Sequence, residues 1–204
     1  MTILSKLNSP KLLVAGAVFL LALNVTAVMA DDSIYNYVQV HALRSEYANA
    51  EKFTLKGFEV RGGFKVGRVF SEFRYRDLTD KPDSRKLDED RWNVTLGYAF
   101  PSRSRTHFDL RLNYGEVNMD GRSPMGNLEV GVDYFGVSAY VHHQLSDKTR
   151  LYAGLEQQNW QGWGSTQKAY HLGVERKLAW MSLGAEYTKY SDSDAMSLFA
   201  RYSF

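Results

Sequence analysis

The sequence contains no cysteine, which excludes disulfide bonds and a lipid anchor attached through a thioether. From Asp31 onward it has no apolar run long enough for a membrane-spanning helix, because charged residues recur every few positions. It also has no excess of one charge. The 25 basic and 23 acidic residues are mixed along the chain, which argues against nucleic acid as a partner. If the chain enters a membrane, it must do so with strands.

A long apolar run does occur near the N terminus, over residues 12–23. Lysines precede it, and Val28 and Ala30 follow it, which is the three-part layout of a secretory signal peptide. We therefore expect cleavage after Ala30, with 1–30 as the signal peptide and 31–204 as one mature domain. A retained anchor is the alternative, but about 12 apolar residues fall short of the roughly 20 that cross a bilayer as a helix.

The mature chain repeats a unit of about ten residues in which apolar and polar side chains alternate, followed by a turn-like insert. Alternation with period two is typical of strands, and this length is that of a tilted transmembrane strand. The pattern predicts an all-β protein, an antiparallel up-and-down transmembrane β-barrel. Its ten predicted strands lie near 34–45, 53–64, 66–77, 91–101, 106–117, 128–145, 150–160, 167–178, 180–190 and 195–204.

Short inserts alternate with longer polar ones, the longest of which are 78–90 and 118–127. Tight turns at one end and long loops at the other are typical of outer-membrane barrels, and an even strand number places both mature termini in the periplasm. The segment 128–145 is too long for one ordinary strand, and its apolar row changes face at residues 134–135. We expect either a bulge there or a part of the strand above the membrane. A misread hairpin would leave eight strands, the second choice.

The chain ends in FARYSF, which resembles the C-terminal assembly signal of bacterial outer-membrane proteins. The residues that carry the resemblance are Leu198, Ala200, Tyr202 and Phe204. Tyr, Trp and Phe also recur at the ends of apolar rows, as expected at a membrane boundary. In size and layout the mature chain is similar to the small OmpA/OmpX-like barrels. This resemblance implies insertion into the bacterial outer membrane by the barrel-assembly machinery, among lipid and lipopolysaccharide, and implies no activity.

If the apolar rows face lipid, the opposite rows must fill the interior of the barrel. They carry charges of both signs, in a space that is barely wider than the side chains that occupy it. Buried charges are costly unless they are paired, so we expect an ion-paired interior closed to solutes larger than water or small ions. The predicted interior charges are Glu59, Arg61, Arg68, Glu72, Arg74, Arg76, Asp109, Arg111, Glu129, Asp133, Glu156, Glu175, Glu186 and Arg201.

Candidate catalytic and metal-binding residues are few. Ser138, His142 and Glu156 are of the types that lipid-A-modifying barrel enzymes use for acyl transfer, but Ser138 and His142 lie about 13 Å apart along one strand. The adjacent His142 and His143 point to opposite faces and cannot chelate one ion without a bulge. Omptin-like proteases use an Asp–His pair above the membrane, and no histidine lies in a predicted outer loop. We predict no catalytic, cofactor-binding or metal-binding residue.

A rigid barrel displays its loops, so a binding function is expected there. Trp160 and Trp163 lie near a strand end, where they would stack on a glycan or contact a surface protein, although a membrane-boundary role explains Trp160 more simply. We expect a non-enzymatic outer-membrane barrel with a charge-plugged interior that acts structurally or through its surface loops, in adhesion or partner-protein binding. The alternatives are a narrow pore, a lipid-A-modifying or omptin-like enzyme, and a soluble periplasmic sandwich or lipocalin-like barrel.

Overall fold

The computed structural model describes residues 34–47, 53–81, 85–124, 126–162 and 165–204, and the predicted signal peptide lies outside them. No helix in these ranges is long and apolar enough to cross a bilayer. The strands are β1 (Tyr37–Tyr47), β2 (Thr54–Val66), β3 (Val69–Asp80), β4 (Lys86–Ala99), β5 (Thr106–Ser123), β6 (Gly126–Ser146), β7 (Thr149–Trp160), β8 (Thr166–Lys177), β9 (Ser182–Tyr190) and β10 (Ser193–Ser203).

The strands form one closed antiparallel sheet. Each strand pairs with the next along the chain, and β1 closes the barrel by pairing with β10. The closing register runs without interruption from Tyr37 opposite Ser203 to Tyr47 opposite Ser193. The predicted all-β barrel of ten strands is confirmed, and the eight-stranded alternative is wrong.

The barrel has two different ends. Residue 34, Phe204 and the short turns that follow β2, β4, β6 and β8 lie at one of them, which we call the terminal end. The connections that follow the odd-numbered strands lie at the other, which we call the loop end. The connections alternate between the two ends as predicted, but those at the loop end are not all longer: 124–125 and 191–192 have two residues each, as do 67–68 and 147–148 at the terminal end.

Side chains are sorted by chemistry between the two faces of the wall. On β4, Val94 and Leu96 point outward and are 46% and 56% exposed, whereas Asn93 and Thr95 point inward and are buried. The same sorting recurs around the barrel, so the outside is apolar and the inside is polar. A soluble barrel or sandwich has the reverse arrangement, with its apolar faces joined in a core, and the soluble alternative is therefore wrong.

Strands β4, β5 and β6 rise above the rest of the wall at the loop end. β5 and β6 pair without interruption up to Ser123 opposite Gly126, and β4 follows β5 up to Lys86. On the other side of β6, the pairing with β7 stops at Trp160. The upper part of this sheet therefore stands as an extension above the closed barrel.

Two of the predicted loops are wrong in extent, because this extension contains most of them. Of the segment 78–90, the residues up to Asp80 belong to β3 and those from Lys86 to β4. Of the segment 118–127, only the turn at Pro124 and residue 125, which lies outside the described residues, separate β5 from β6. Their many charges suggested loops, but most of the carboxylates lie on the outer face of paired strands, where water can solvate them.

The apolar row of β6 changes face because part of the strand stands above the barrel, which is one of the two causes expected from the sequence. Val132 and Ser138 both point inward, so the alternation runs unbroken through residues 134–135, and the bulge interpretation is wrong. Outward side chains are apolar toward the terminal end, as at Val137, and charged toward the loop end, as at Asp133. The row changes face because the strand rises out of the apolar band of the barrel.

Aromatic rings on the inner face lie over glycines directly opposite on the neighbouring strand. A Cβ added at Gly97 would overlap the Phe70 ring, and one added at Gly154 would overlap the Tyr140 ring. Glycine lets each ring lie flat against the wall, so large side chains fit a narrow interior and cover the bare backbone. The same pairing joins Tyr37 to Gly63, Tyr134 to Gly115, Tyr152 to Gly173 and Phe199 to Gly184.

Replacing Gly154 with alanine should lower the free energy of unfolding by about 1–3 kcal/mol, because the new Cβ displaces the Tyr140 ring. Urea titration of the refolded protein in lipid vesicles measures the loss. The matched control is Gly121→Ala in β5, where the nearest atom to an added Cβ is 3.7 Å away. Equal urea midpoints for the two variants would contradict ring packing as the reason for glycine.

Candidate functional site

The centre of the interior is built around Glu59 on β2. Arg76 donates from Nε to one carboxylate oxygen at 2.8 Å, and Arg61 donates to the other oxygen. Arg61 also makes a two-point contact with Glu186 on β9, at 3.0 and 2.7 Å. Each of these guanidinium groups has a carboxylate partner, which offsets the cost of removing the charges from water.

A second group lies toward the terminal end, around Asp109 on β5. Its carboxylate accepts hydrogen bonds from Arg111 at 2.6 Å, from His142 at 2.9 Å and from the Tyr35 hydroxyl at 3.2 Å. Tyr35 precedes β1, and its burial, together with the Asp109 carboxylate, raises the pKa of its hydroxyl and keeps it a neutral donor. Tyr35 and Asn36, which are both buried, therefore cover this end of the interior.

Glu175 on β8 organises a third group near the same end. Arg150 donates to its carboxylate, and Arg201 lies 3.3 Å from it. Arg201 also donates to the Gln39 amide oxygen at 2.9 Å, and its guanidinium carbon lies 3.8 Å from the centre of the Tyr37 ring. The arginines of the interior are thus held by rings as well as by carboxylates.

The interior becomes apolar at the loop end. Glu89, which accepts a hydrogen bond from the Tyr47 hydroxyl and lies 3.6 Å from Arg91, marks the transition. Above it, the buried leucines and the partly buried residues packed on them are Leu43, Leu55, Leu78, Tyr47, Phe53 and Leu87. This cluster covers the upper end of the charged interior beside β1–β4.

Little free volume remains inside the barrel. Two cavities have volumes of about 30 and 10 Å³, the size of one or two water molecules. Arg111 and Tyr140 line both cavities and lie between them, with the guanidinium carbon 4.0 Å from the ring centre. Among the described interior residues, the carboxylates and arginines are equal in number, although they do not pair one to one: the carboxylates are Glu59, Glu72, Glu89, Asp109, Glu156, Glu175 and Glu186, and the arginines are Arg61, Arg74, Arg76, Arg91, Arg111, Arg150 and Arg201.

Most charges that the sequence assigns to the interior lie there. Three do not. Arg68 is exposed in the two-residue turn between β2 and β3, where it donates to the Tyr98 hydroxyl at 3.2 Å, because the turn at Gly67 breaks the alternation on which its assignment depended. Glu129 and Asp133 are exposed on the outer face of the extension, because the alternation continues unbroken through β6.

Sequence reasoning missed three interior charges. Glu89 lay inside a predicted loop, and Arg91 and Arg150 lay at the first residues of predicted strands. Alternation carried outward from Asn93 and from Tyr152, which are both buried, would have identified them. The signal was present, but polar strand ends were taken for loops.

The candidate catalytic residues Ser138, His142 and Glu156 do not form one site. The Ser138 hydroxyl accepts from the Asn113 amide at 3.1 Å, and His142 donates to Asp109. Glu156 instead accepts from His171, whose other ring nitrogen lies 3.1 Å from the Thr188 hydroxyl. His171 and Thr188 are each 3% exposed, so this Glu–His–Thr line has no access for a substrate.

The structure also separates the two adjacent histidines. His143 points outward and contacts the Thr106 hydroxyl at 2.9 Å, whereas His142 points inward. Among the described residues, no three His, Asp or Glu side chains are grouped so that they would hold a metal ion.

The predicted surface residues lie as follows. Trp160 is half-buried at the end of β7 and donates from its indole to Gln158 at 3.2 Å, while Trp163 lies outside the described residues. In the terminal row on β10, Leu198 and Tyr202 are 69% and 52% exposed on the outer wall. The backbone N–H of Phe204 donates to the carbonyl of Asn36 at 3.2 Å, which fastens the end of the chain beside β1.

No protein-family model matches the sequence, and no curated protein matches it. Among solved structures, the fold is similar to that of the NanC porin, with a TM-score of 0.51 and 8% sequence identity over 82% of this chain and 100% of that chain. The fold is that of a small outer-membrane β-barrel. This agrees with the resemblance drawn from the FARYSF terminus and the strand pattern.

Two further solved structures are similar to a lower degree. Neisserial surface protein A is 13% identical, over 82% of this chain and 96% of that chain, with a TM-score of 0.48. The attachment invasion locus protein Ail of Yersinia pestis is 12% identical, over 82% and 95%, with a TM-score of 0.43. At these identities the activity must be argued from the residues of this chain.

Replacing Glu186 with glutamine should destabilise the barrel by about 3–5 kcal/mol, because it leaves Arg61 buried with half of its compensating charge. The urea midpoint in lipid vesicles measures the change. Asp194→Asn is the control, since it breaks an exposed pair with Lys189 on the neighbouring strand and should leave the midpoint almost unchanged. A charge-paired interior is refuted if both variants unfold at the wild-type midpoint.

Proposed function

We propose that the protein is a non-enzymatic barrel of the bacterial outer membrane, closed by its ion-paired interior, that stabilises the envelope and binds a partner through its outer surface. The observation that carries this proposal is the filled interior, whose cavities of about 30 and 10 Å³ leave no room for a substrate or a solute path. A function must then reside on the outside of the barrel.

The apolar outer wall supports the assignment to a membrane. Its exposed leucines, valines and aromatics would face lipid chains, with lipopolysaccharide around the loop end. We expect both mature termini in the periplasm, because the strands rise beyond the closed barrel at the loop end, and outer-membrane barrels carry their larger segments on the outside of the cell. The barrel-assembly machinery would recognise the C-terminal row during insertion; its residues are Leu198, Ala200, Tyr202 and Phe204.

An enzymatic role is not favoured by the geometry. Ser138, His142 and Glu156 each have other partners, and the Glu156–His171–Thr188 line is buried. An omptin-like reaction would need a histidine at the loop end beside acidic residues. All five histidines of the chain lie in strands within the closed barrel, and none lies in the extension.

A narrow pore is the second candidate, and one observation favours it. The two cavities follow each other inside the barrel, and Arg111 and Tyr140 are the side chains that line both. A small movement of this pair would join them. In the resting structure the 4.0 Å stack of the guanidinium on the ring keeps them apart.

Single-channel recording in a planar bilayer tests the closed interior. Wild-type protein should be silent, and Tyr140→Ala should conduct, because it removes the ring between the cavities without leaving a charge unpaired. Tyr140→Phe keeps the ring and should remain silent. Steady conductance of the wild type would replace the closed barrel with the pore.

Phe204→Ala should reduce the amount of barrel assembled in the outer membrane several-fold while leaving refolding in detergent unchanged, because the residue would act as a signal and contributes little to the interior. Heat-modifiable migration in SDS gels measures the folded fraction in both settings. Ser203→Ala, one residue earlier, is the control and should assemble normally. Normal outer-membrane yield of Phe204→Ala would refute the assembly signal.

A further inference from the structure

Exposed charges are distributed unevenly between the two ends of the barrel. At the terminal end, in the turns and at the strand ends beside them, Asp147 is the one exposed acidic side chain among the residues that the structure describes. Six basic side chains are exposed there: Arg68, Arg103, Arg105, Lys148, Arg176 and Lys177. The chain as a whole is almost neutral, with a formal charge of +2, so folding concentrates positive charge at this end.

The exposed bases of the terminal end differ from those of the loop end in having no acidic partner. At the loop end, Lys189 lies 2.9 Å from Asp194, and Arg44 lies 2.5 Å from Glu46. Within the described ranges, none of the six terminal-end bases forms an ion pair. Unpaired cations on a surface attract anions from outside the chain, and the attraction grows with the number of bases that lie close together.

Three of these bases are adjacent, and we call them the basic cluster: Lys148, Arg176 and Lys177. The backbone N–H of Lys177 donates to the carbonyl of Lys148 at 2.7 Å, which holds the turn after β6 beside the end of β8. Arg176 is the last outward residue of β8 and follows Leu172 and Val174, which are exposed on the apolar wall. The basic cluster therefore lies at the terminal edge of that wall.

Exposed apolar side chains adjoin the basic cluster. Trp180, in the connection between β8 and β9, is 72% exposed, and Leu183 lies opposite Arg176 on β9 with 47% of its surface exposed. Tryptophan is favoured at the level of lipid headgroups, and aliphatic side chains at the level of acyl chains. A molecule that covers this region and neutralises the bases must combine an anionic head with apolar chains.

We infer that the basic cluster binds an anionic phospholipid of the leaflet that faces the periplasm, with a headgroup that carries phosphate and no amine. The Arg176 guanidinium donates in parallel to two phosphate oxygens, and the two lysines add positive charge. The acyl chains lie along the outer wall beside Leu183. This inference rests on the proposed function, since it needs the terminal end in the periplasm, and it adds a lipid site to that function.

Two other anionic partners fit the basic cluster less well. Lipid A also carries phosphate, but the proposed orientation places it at the loop end, where Glu129 and Asp133 are exposed on the outer face of the extension. Peptidoglycan lies in the periplasm, but it has no acyl chains to cover Trp180 and Leu183. A phospholipid matches both the charge of the cluster and the apolar surface beside it.

The test uses the refolded mature chain in nanodiscs of equal parts phosphatidylglycerol and phosphatidylethanolamine. Native mass spectrometry then counts the lipids of each kind that stay bound when the protein is released. Wild-type protein should retain phosphatidylglycerol over phosphatidylethanolamine by at least about tenfold, because each basic side chain near a membrane strengthens the binding of anionic lipid. The triple variant Lys148→Gln, Arg176→Gln and Lys177→Gln should retain the two lipids equally.

The matched control removes the same charges from the loop end, with the changes Arg44→Gln, Lys168→Gln and Lys189→Gln. All three residues are exposed, and this variant should keep the wild-type preference. Heat-modifiable migration first shows whether both triple variants have folded. Raising the salt concentration should reduce the preference of the wild type and of the control alike, since salt screens exposed charges.

The orientation is tested separately in whole cells, since the chain has no cysteine and a single introduced one reports its own location. A polymer-linked maleimide that cannot cross the outer membrane should label Asn127→Cys at the loop end in intact cells. It should label Ser104→Cys at the terminal end only after the membrane is opened. Labelling of Ser104→Cys in intact cells would reject the proposed orientation, and with it the phospholipid in favour of lipid A.

Equal preferences in the two triple variants, or no preference in the wild type, would overturn the lipid site. Binding of purified peptidoglycan that is lost in the terminal-end variant, without a lipid preference in the wild type, would assign the cluster to the cell wall instead. The closed interior fails separately. A conducting wild type that retains phosphatidylglycerol would reject only the closed interior, whereas a silent wild type without a preference would reject only the lipid site.

Discussion

The pairing of buried charges inside a narrow closed wall is the constraint on which the rest of this structure depends. Ten tilted strands fix the width of the interior, and that width leaves no layer of water to solvate a lone carboxylate or guanidinium. Arg61 therefore reaches both Glu59 on its own strand and Glu186 on β9. The aromatic residues meet the same limit of space by lying flat over glycines of the neighbouring strand.

A single strand can obey two opposite rules of polarity, and β6 is the clearest case. In the barrel, its outward residues, such as Val137, are apolar because they face lipid, and its inward residues are polar. In the extension, the outward residues Glu129 and Asp133 are charged, and the inward residues Leu128 and Val130 are apolar. The side chains alternate between the two faces in the same way throughout the strand. What changes is the surroundings of its outer face, from lipid beside the barrel to water beside the extension.

This reversal explains how far the fold could be predicted from the sequence. Ten strands were predictable, because an apolar row along one face of a strand of about ten residues is required wherever lipid lies outside. The upper ends of β3, β4 and β5 were read as loops, because charged outward residues there resemble solvated loop residues. The ambiguity at residues 134–135 has the same origin. A change of surroundings and a bulge both make the apolar residues of a sequence shift from one strand face to the other.

The sequence predicts which charged residues lie in the interior better than it predicts which of them pair with one another. Alternation places Glu59, Arg61 and Asp109 inside, but it cannot tell that Arg61 meets Glu186. β2 and β9 are far apart along the chain and do not pair, and their side chains meet inside the barrel only because β1 and β10 close it. Interior tyrosines such as Tyr140 share a row with Ser138 and His142, so alternation made their position visible, although the interior residues assigned from the sequence were the charged ones.

A charge-paired interior also determines where binding is possible. Within the barrel, charges and rings have partners, so a ligand entering there would have to displace contacts as strong as those it makes. A partner would therefore displace no interior contact only at the outer surface of the barrel or of the extension formed by β4, β5 and β6.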